Sequence, residues 1–249
     1  MHSLLKLLGL FVFPAAILIA AFVFVFFGSA LPPALDSLKS YGPYIGFAIG
    51  AALAVAFNRG RALLALVTLV AAYQAQQVWL AAGVTTPVAR AVYLALTVFV
   101  PVNLGLAAVL SERGVFNRQG VLWLALIAVE IGVTAGVIVS GRTGITDWAA
   151  QKFLDPAPFA IGGIPQAGIV AVVSGLVVSL ASALFSRSAI SAGCAGAVVA
   201  FAVAAHVPTA SLTFAVFTSA GALMLAIAIL QDRYAARSPA PRKKRAGAR

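Results

Sequence analysis

A chain of 249 residues that is 62% hydrophobic and only 9% charged does not match a water-soluble domain, in which roughly a quarter of residues are charged. Its net charge of +11 does not imply a nucleic-acid partner, because seven of the seventeen Lys and Arg residues follow Gln231 and most others sit in short polar breaks, the distribution that sets membrane topology. A single cysteine, Cys194, excludes an internal disulfide framework and a multi-cysteine metal site.

Long apolar runs favour helices over a barrel, whose strands would alternate over ~10 residues. A helix rising ~1.5 Å per residue needs ~20 residues to cross ~30 Å of hydrocarbon, so the chain has room for eight spans. The first, 6–28, follows Lys6 and carries an apolar stretch longer than the ~7–15 residues of a removable signal; it is read as a retained span. The second, 40–57, is the shortest clean stretch and has Pro43 near its start. "NRGR" separates it from the third, 62–82, which carries Gln74. "GVTTP" leads to the fourth, 88–110, with Thr97, Pro101 and Asn103. A proline here cannot donate to the Thr97 carbonyl, which predicts a kink and an acceptor inside the span. After "SERGVFNRQG" the fifth, 121–140, contains Glu130 and, one turn on, Thr134. The 141–165 junction is the longest, and Trp148 in it reads as an interfacial anchor. Spans 166–185, 189–206 and 210–230 complete the set.

The predicted fold is therefore an all-α, polytopic membrane bundle of about eight transmembrane helices. With an even number, both termini share one side. That side carries Lys6, Arg59, Arg61, Arg113, Arg118, Arg187 and the seven basic residues after Gln231, Arg242, Lys243, Lys244 and Arg245 among them. The other side has only Lys39, Arg90, Arg142 and Lys152. Positive charge stays inside, which predicts cytoplasmic termini. Residues 1–234 form the membrane domain. Residues 235–249, rich in Ala, Pro and Arg, cannot bury enough apolar surface to order, and are expected as a disordered basic tail at the anionic leaflet.

Three stripes of small residues, Gly42/Gly46/Gly50, Gly132/Gly136/Ser140 and Ser188/Ala192/Gly196, recur every four residues. Intramolecular helix packing is their expected use. Glu130 is the one acid deep within a span. An ionised carboxylate there is costly, so it is expected to be protonated, paired or beside water. Together with Gln74, Thr97, Asn103 and Thr134 it predicts a small polar ligand-binding pocket among spans three, four and five.

The order "YGPYIGFAIGAALAVAFNRGRALLALVTLVAAYQ", "TVFVPVNLGLAAVLSERGVFNRQGVLWLAL" and "FTSAGALMLAIAILQDRY" carries Phe57-Asn58-Arg59 with Arg61, Pro101-Val102-Asn103, Glu112-Arg113-Gly114, and Gln231-Asp232 with Tyr234. In this it resembles the multi-span sensor region of bacterial diguanylate cyclases. The resemblance implies an input module, which in those proteins precedes a cytoplasmic GGDEF domain that condenses two GTP molecules into cyclic di-GMP. Here Tyr234 is followed by "AARSPAPRKKRAGAR", and Gly-Gly-Asp/Glu-Glu-Phe occurs nowhere. No cyclase residue carries over, and the chain resembles the input half alone.

The sequence also lacks a Gly-rich phosphate loop, a G-x-S-x-G elbow and an H-E-x-x-H pair. It therefore reads as a non-catalytic inner-membrane sensor with no cofactor and no metal. Its expected partners are the lipid bilayer, a second copy of itself and a cytoplasmic signalling protein. The alternative is a small transporter or channel using the polar cluster around Glu130.

Overall fold

The computed structural model describes residues 2–27, 36–140, 163–207 and 210–237. The expected anchor Trp148 and the tail residues Arg242, Lys243, Lys244 and Arg245 lie outside them. Among the described residues all regular structure is helical. The elements are α1 (His2–Phe26), α2 (Asp36–Ala56), α3 (Gly60–Ala75) continued by a π-helical turn Gln76–Leu80, α4 (Pro87–Val109), α5 (Arg118–Val139), α6 (Gln166–Ser186), α7 (Ala189–His206) and α8 (Ser211–Arg237).

Each expected span coincides with a helix, with two informative differences. Among the described residues seven helices are long and apolar enough to cross a membrane, whereas the apolar part of α2 is only Tyr41–Ala56. Its first turn spends Asp36 and Lys39 on polar sequence. At the other end of the chain, α8 continues past residue 230 to Arg237. Within that extension Asp232 and Arg233 find partners, described below.

The sequence dictates the helix ends locally. The Thr86 hydroxyl accepts from Ala89 N, with Pro87 as the first helical residue of α4, and the Asn117 carboxamide accepts from Gly120 N at 2.8 Å to start α5. Ser188 caps α7 in the same way. Each cap satisfies a backbone N–H that the first turn leaves without a partner. The tight reversals before α3 and α7 turn on Asn58 and Arg187, both with positive φ.

Small residues line the central helix, while large apolar side chains both fill the core, as Phe201, Phe214 and Leu225 do, and cover the exterior. α7 sits at the centre, buried along Ala189, Ala192, Cys194, Ala197 and Ala200 and packed against α8, α4, α6 and α1. Outward-facing side chains include Ile19, Val129, Val133, Val173 and Phe185. Contiguous exposed apolar surface of this extent is the reverse of a soluble fold, and close helix approach through Ala and Gly is the packing that works without a hydrophobic drive between helices.

α4 and α6 show how close the approach becomes. A Cβ on Gly175 would lie 2.4 Å from the Pro101 carbonyl oxygen, and one on Gly168 would lie 2.7 Å from the Thr97 Cβ. Two of the three small stripes are used as expected: Gly46 faces Ala222 on α8, Gly50 meets Leu66 on α3, and Gly196 meets Met224 and Pro14. The third is not. Among the described residues nothing lies within 4 Å of a Cβ placed on Gly132 or Gly136, because α5 packs chiefly on α3 and α4 and Ile127 is its one buried residue there.

Candidate functional site

The loose seating of α5 leaves a cavity of about 380 Å³ between it, α3 and α4. This falls in the usual size range of small-molecule sites, ~300–1,000 Å³. Thr68 and Asn103 line it at mid-helix level, and it extends to Trp79 and Val139 at the far ends of α3 and α5. Gln74, Asn103, Glu130 and Thr134, which the sequence grouped, all line it. Asn103 Nδ2 donates to Glu130 Oε2 at 2.7 Å across the gap, and the Thr134 hydroxyl donates to the Glu130 carbonyl oxygen at 2.8 Å. Asn103 is buried while Glu130 and Thr134 are half-buried. Gln74 Nε2 donates to the Tyr44 hydroxyl at 3.3 Å, which ties the cavity edge to α2. On the other side of that contact, Tyr41, Tyr44, Tyr73 and Gln77 line a separate cleft.

Thr97 does not join this group. It is fully buried against Gly168 on α6, and its hydroxyl donates to the Leu94 carbonyl at 3.0 Å. Pro101, four residues on and hence on the same helix face, likewise packs on α6 through Gly175. α4 remains one helix through Pro101. The 97/101 face of α4 is an interface, and the 96/99/103 face is the cavity wall. The π-helical turn was not legible at all. It carries Val78 and Trp79 into the cavity lining, and such insertions are frequent at functional sites.

A second polar assembly lies where the α2–α3 and α4–α5 turns meet. Gly60 N and Gly114 N both donate to Glu112 Oε1, at 2.8 and 3.3 Å, and Arg61 Nε lies 3.3 Å from Glu112 Oε2. Arg61 Nη1 also reaches the Ala108 and Leu110 carbonyls at the end of α4 and the Ser191 hydroxyl on α7, and Nη2 donates to the Ser188 hydroxyl. The Asn58 carboxamide accepts from Val115 N at 2.8 Å. Gly60 is required because its Cβ would fall 2.0 Å from the Gly114 carbonyl oxygen. Gly114 is required by its φ of +84°, a conformation open to glycine. Beside this knot, Arg59 Nη2 pairs with Asp232 on α8 at 2.7 Å, and the Arg233 guanidinium lies 5.8 Å from the Phe57 ring centre.

The sequence assigned Arg59 and Arg61 to topology alone. Their structural partners, Glu112 and Asp232, were missed as partners, although the even span count already placed all four residues on one side. Arg113, Arg118 and Arg187 gather at the same end; Arg113 Nε bonds Ser111 Oγ at 3.2 Å. The crevice within the assembly holds only about 30 Å³, room for a water and nothing larger. It is a clasp, whereas the α3–α4–α5 cavity has room for a ligand. Among the described residues no three His, Cys, Asp or Glu side chains come together to hold a metal.

Comparison with protein-family models, with curated proteins and with solved structures gives no match.

Proposed function

We propose that the chain is a multi-pass protein of a bacterial inner membrane that serves as a non-catalytic signal-input module, with its Arg-rich end and both termini in the cytoplasm. The observation that carries this reading is the clasp. α3 and α4, which wall the cavity, end in turns joined through Glu112 and Arg61, and the adjoining Arg59 holds Asp232 on α8. α8 is the helix that runs on beyond the apolar core, towards the position where the resemblance to diguanylate cyclase sensor regions would place an output domain. Of the pieces that carry that resemblance, Phe57 to Arg61, Glu112 to Gly114 and Asp232 meet in space, whereas Pro101 to Asn103 lie farther along α4, at the α6 contact and the cavity wall.

In this reading a ligand in the cavity alters how α5 and α4 sit on α3. The Glu112 turn then moves against Gly60, and the Arg59–Asp232 contact passes the change to α8. Only a ligand with different affinities for the two arrangements can drive it. A cytoplasmic partner or a second copy of the chain receives the output, and the basic tail holds the C-terminus at the leaflet at ~1 kcal/mol per Lys or Arg. The carboxyl of Glu130 beside a cavity also favours a second reading, a small transporter. One fusion protein separates them. A diguanylate cyclase domain joined after Tyr234 should give cyclic di-GMP output that changes on Glu130→Gln, with no solute flux in proteoliposomes. Output indifferent to residue 130, accompanied by flux, would replace the sensor with the transporter.

A further inference from the structure

The α3–α4–α5 cavity has an unusual charge balance. Twenty of the described residues line it, and Glu130 is the only ionisable acid or base among those. One carboxylate oxygen, Oε2, accepts from Asn103 Nδ2. Among the described residues no Lys, Arg or His side chain lines the space to neutralise the group. Apart from Gln74 at the edge, the rest of the wall is aliphatic, Ala and Thr, with the rings of Phe99 and Trp79. A carboxyl on a low-dielectric wall with a single neutral hydrogen-bond donor is incompletely compensated when ionised, so it either keeps its proton or takes up a cation. It favours whatever brings it a positive charge, and aromatic rings in the same wall favour the same occupant.

We infer that this cavity is a binding site for an organic monocation, a primary or secondary amine carried on an apolar body, with Glu130 as its counter-ion and Asn103 fixing the carboxylate. The inference rests on the sensor reading only for what binding then does; the site's charge preference stands separately. A neutral amphiphile would leave Glu130 holding its proton and gain nothing from it, and an anion would oppose its ionisation. The hydrocarbon body has the Leu96, Phe99, Ile131 and Ile138 walls to fill. Trp79, at the far end, gives the site its own reporter.

The full-length protein in a neutral maltoside detergent is titrated with 8-bromooctylamine, 8-bromooctan-1-ol and 8-bromooctanoate, with tryptophan quenching by bromine as the signal. Micelle partitioning gives a non-saturable background common to all three. The amine should add a saturable component, roughly tenfold or more tighter than the alcohol, that disappears in Trp79→Phe although Trp123 and Trp148 remain. Glu130→Gln should bring the amine down to the alcohol's affinity while leaving the alcohol's unchanged, which also shows that the variant is folded. Equal saturable quenching by amine and alcohol, preference for the anion, or amine preference that survives Glu130→Gln would overturn the assignment and leave the sensor reading standing. Amine selectivity that depends on Glu130, with cyclase-fusion output indifferent to the amine, would support the site and overturn the sensor reading.

Discussion

Arg61 shows what one side chain contributes to this bundle. Its planar guanidinium reaches an acid, two carbonyls and two hydroxyls on three separate elements, a geometry that the single ammonium of Lys cannot reproduce. Glu112 is the matching acid and is itself mostly buried. Removing it leaves the guanidinium without its counter-charge, which costs about 3 kcal/mol for a buried pair. Glu112→Ala should therefore lower the thermal midpoint of the solubilised protein by several degrees, whereas Arg113→Ala, exposed on the same turn, should change stability by no more than ~0.5 kcal/mol. Both are read by heating with a thiol-reactive dye that reports exposure of buried Cys194. The sequence makes these arginines visible but not their pairing, because the partners lie on distant turns that only the closed bundle brings together. Glu130 is the opposite case. A lone acid in an apolar helix is conspicuous without any structure, and so was its neighbourhood. Only Thr97 was misplaced, since spacing along α4 groups it with Pro101 and not with Asn103.

At the scale of the element, α5 and α6 differ although their composition is similar. α6 lies in contact with α4 at Gly168 and Gly175, while α5 leaves Gly132 and Gly136 facing open space. Gly175→Ala would force a Cβ against the Pro101 carbonyl and should destabilise the protein by about 1–3 kcal/mol. Gly136→Ala meets nothing and removes a flexible helix residue, so it should be neutral or stabilising by up to about 1 kcal/mol. Thermal unfolding of the two variants side by side checks this. The small-residue pattern alone treated the Gly132/Gly136/Ser140 stripe like the Gly42/Gly46/Gly50 and Ser188/Ala192/Gly196 stripes, which are packed. Recurrence every four residues tells which face is smooth, not whether another helix is there to use it. Helix positions themselves were legible, since apolar runs and the punctuating "NRGR", "GVTTP" and "SRS" leave few choices. The π-helical turn at Gln76–Leu80 was not, because an insertion of one residue into a helix leaves no mark in composition.

For the whole molecule, the turns bearing Arg59, Arg113 and Arg187 and the end of α8 collect at one end of the bundle. That arrangement is what a consistent inside–outside charge bias requires. Alkaline phosphatase fused within 141–165 should be active and fused at the C-terminus silent; the opposite pattern would invert the bundle. The same gathering makes the clasp the place where cavity and α8 can communicate, and this coupling is the claim on which the functional reading stands. It is tested most directly by pulsed dipolar spectroscopy in nanodiscs with spin labels at Val55→Cys on α2 and Tyr234→Cys on α8. Both native side chains are exposed and neither lines the cavity, and buried Cys194 stays unlabelled. Glu130→Gln should shift the distance distribution between these two remote labels. Superimposable distributions from the two proteins would contradict it.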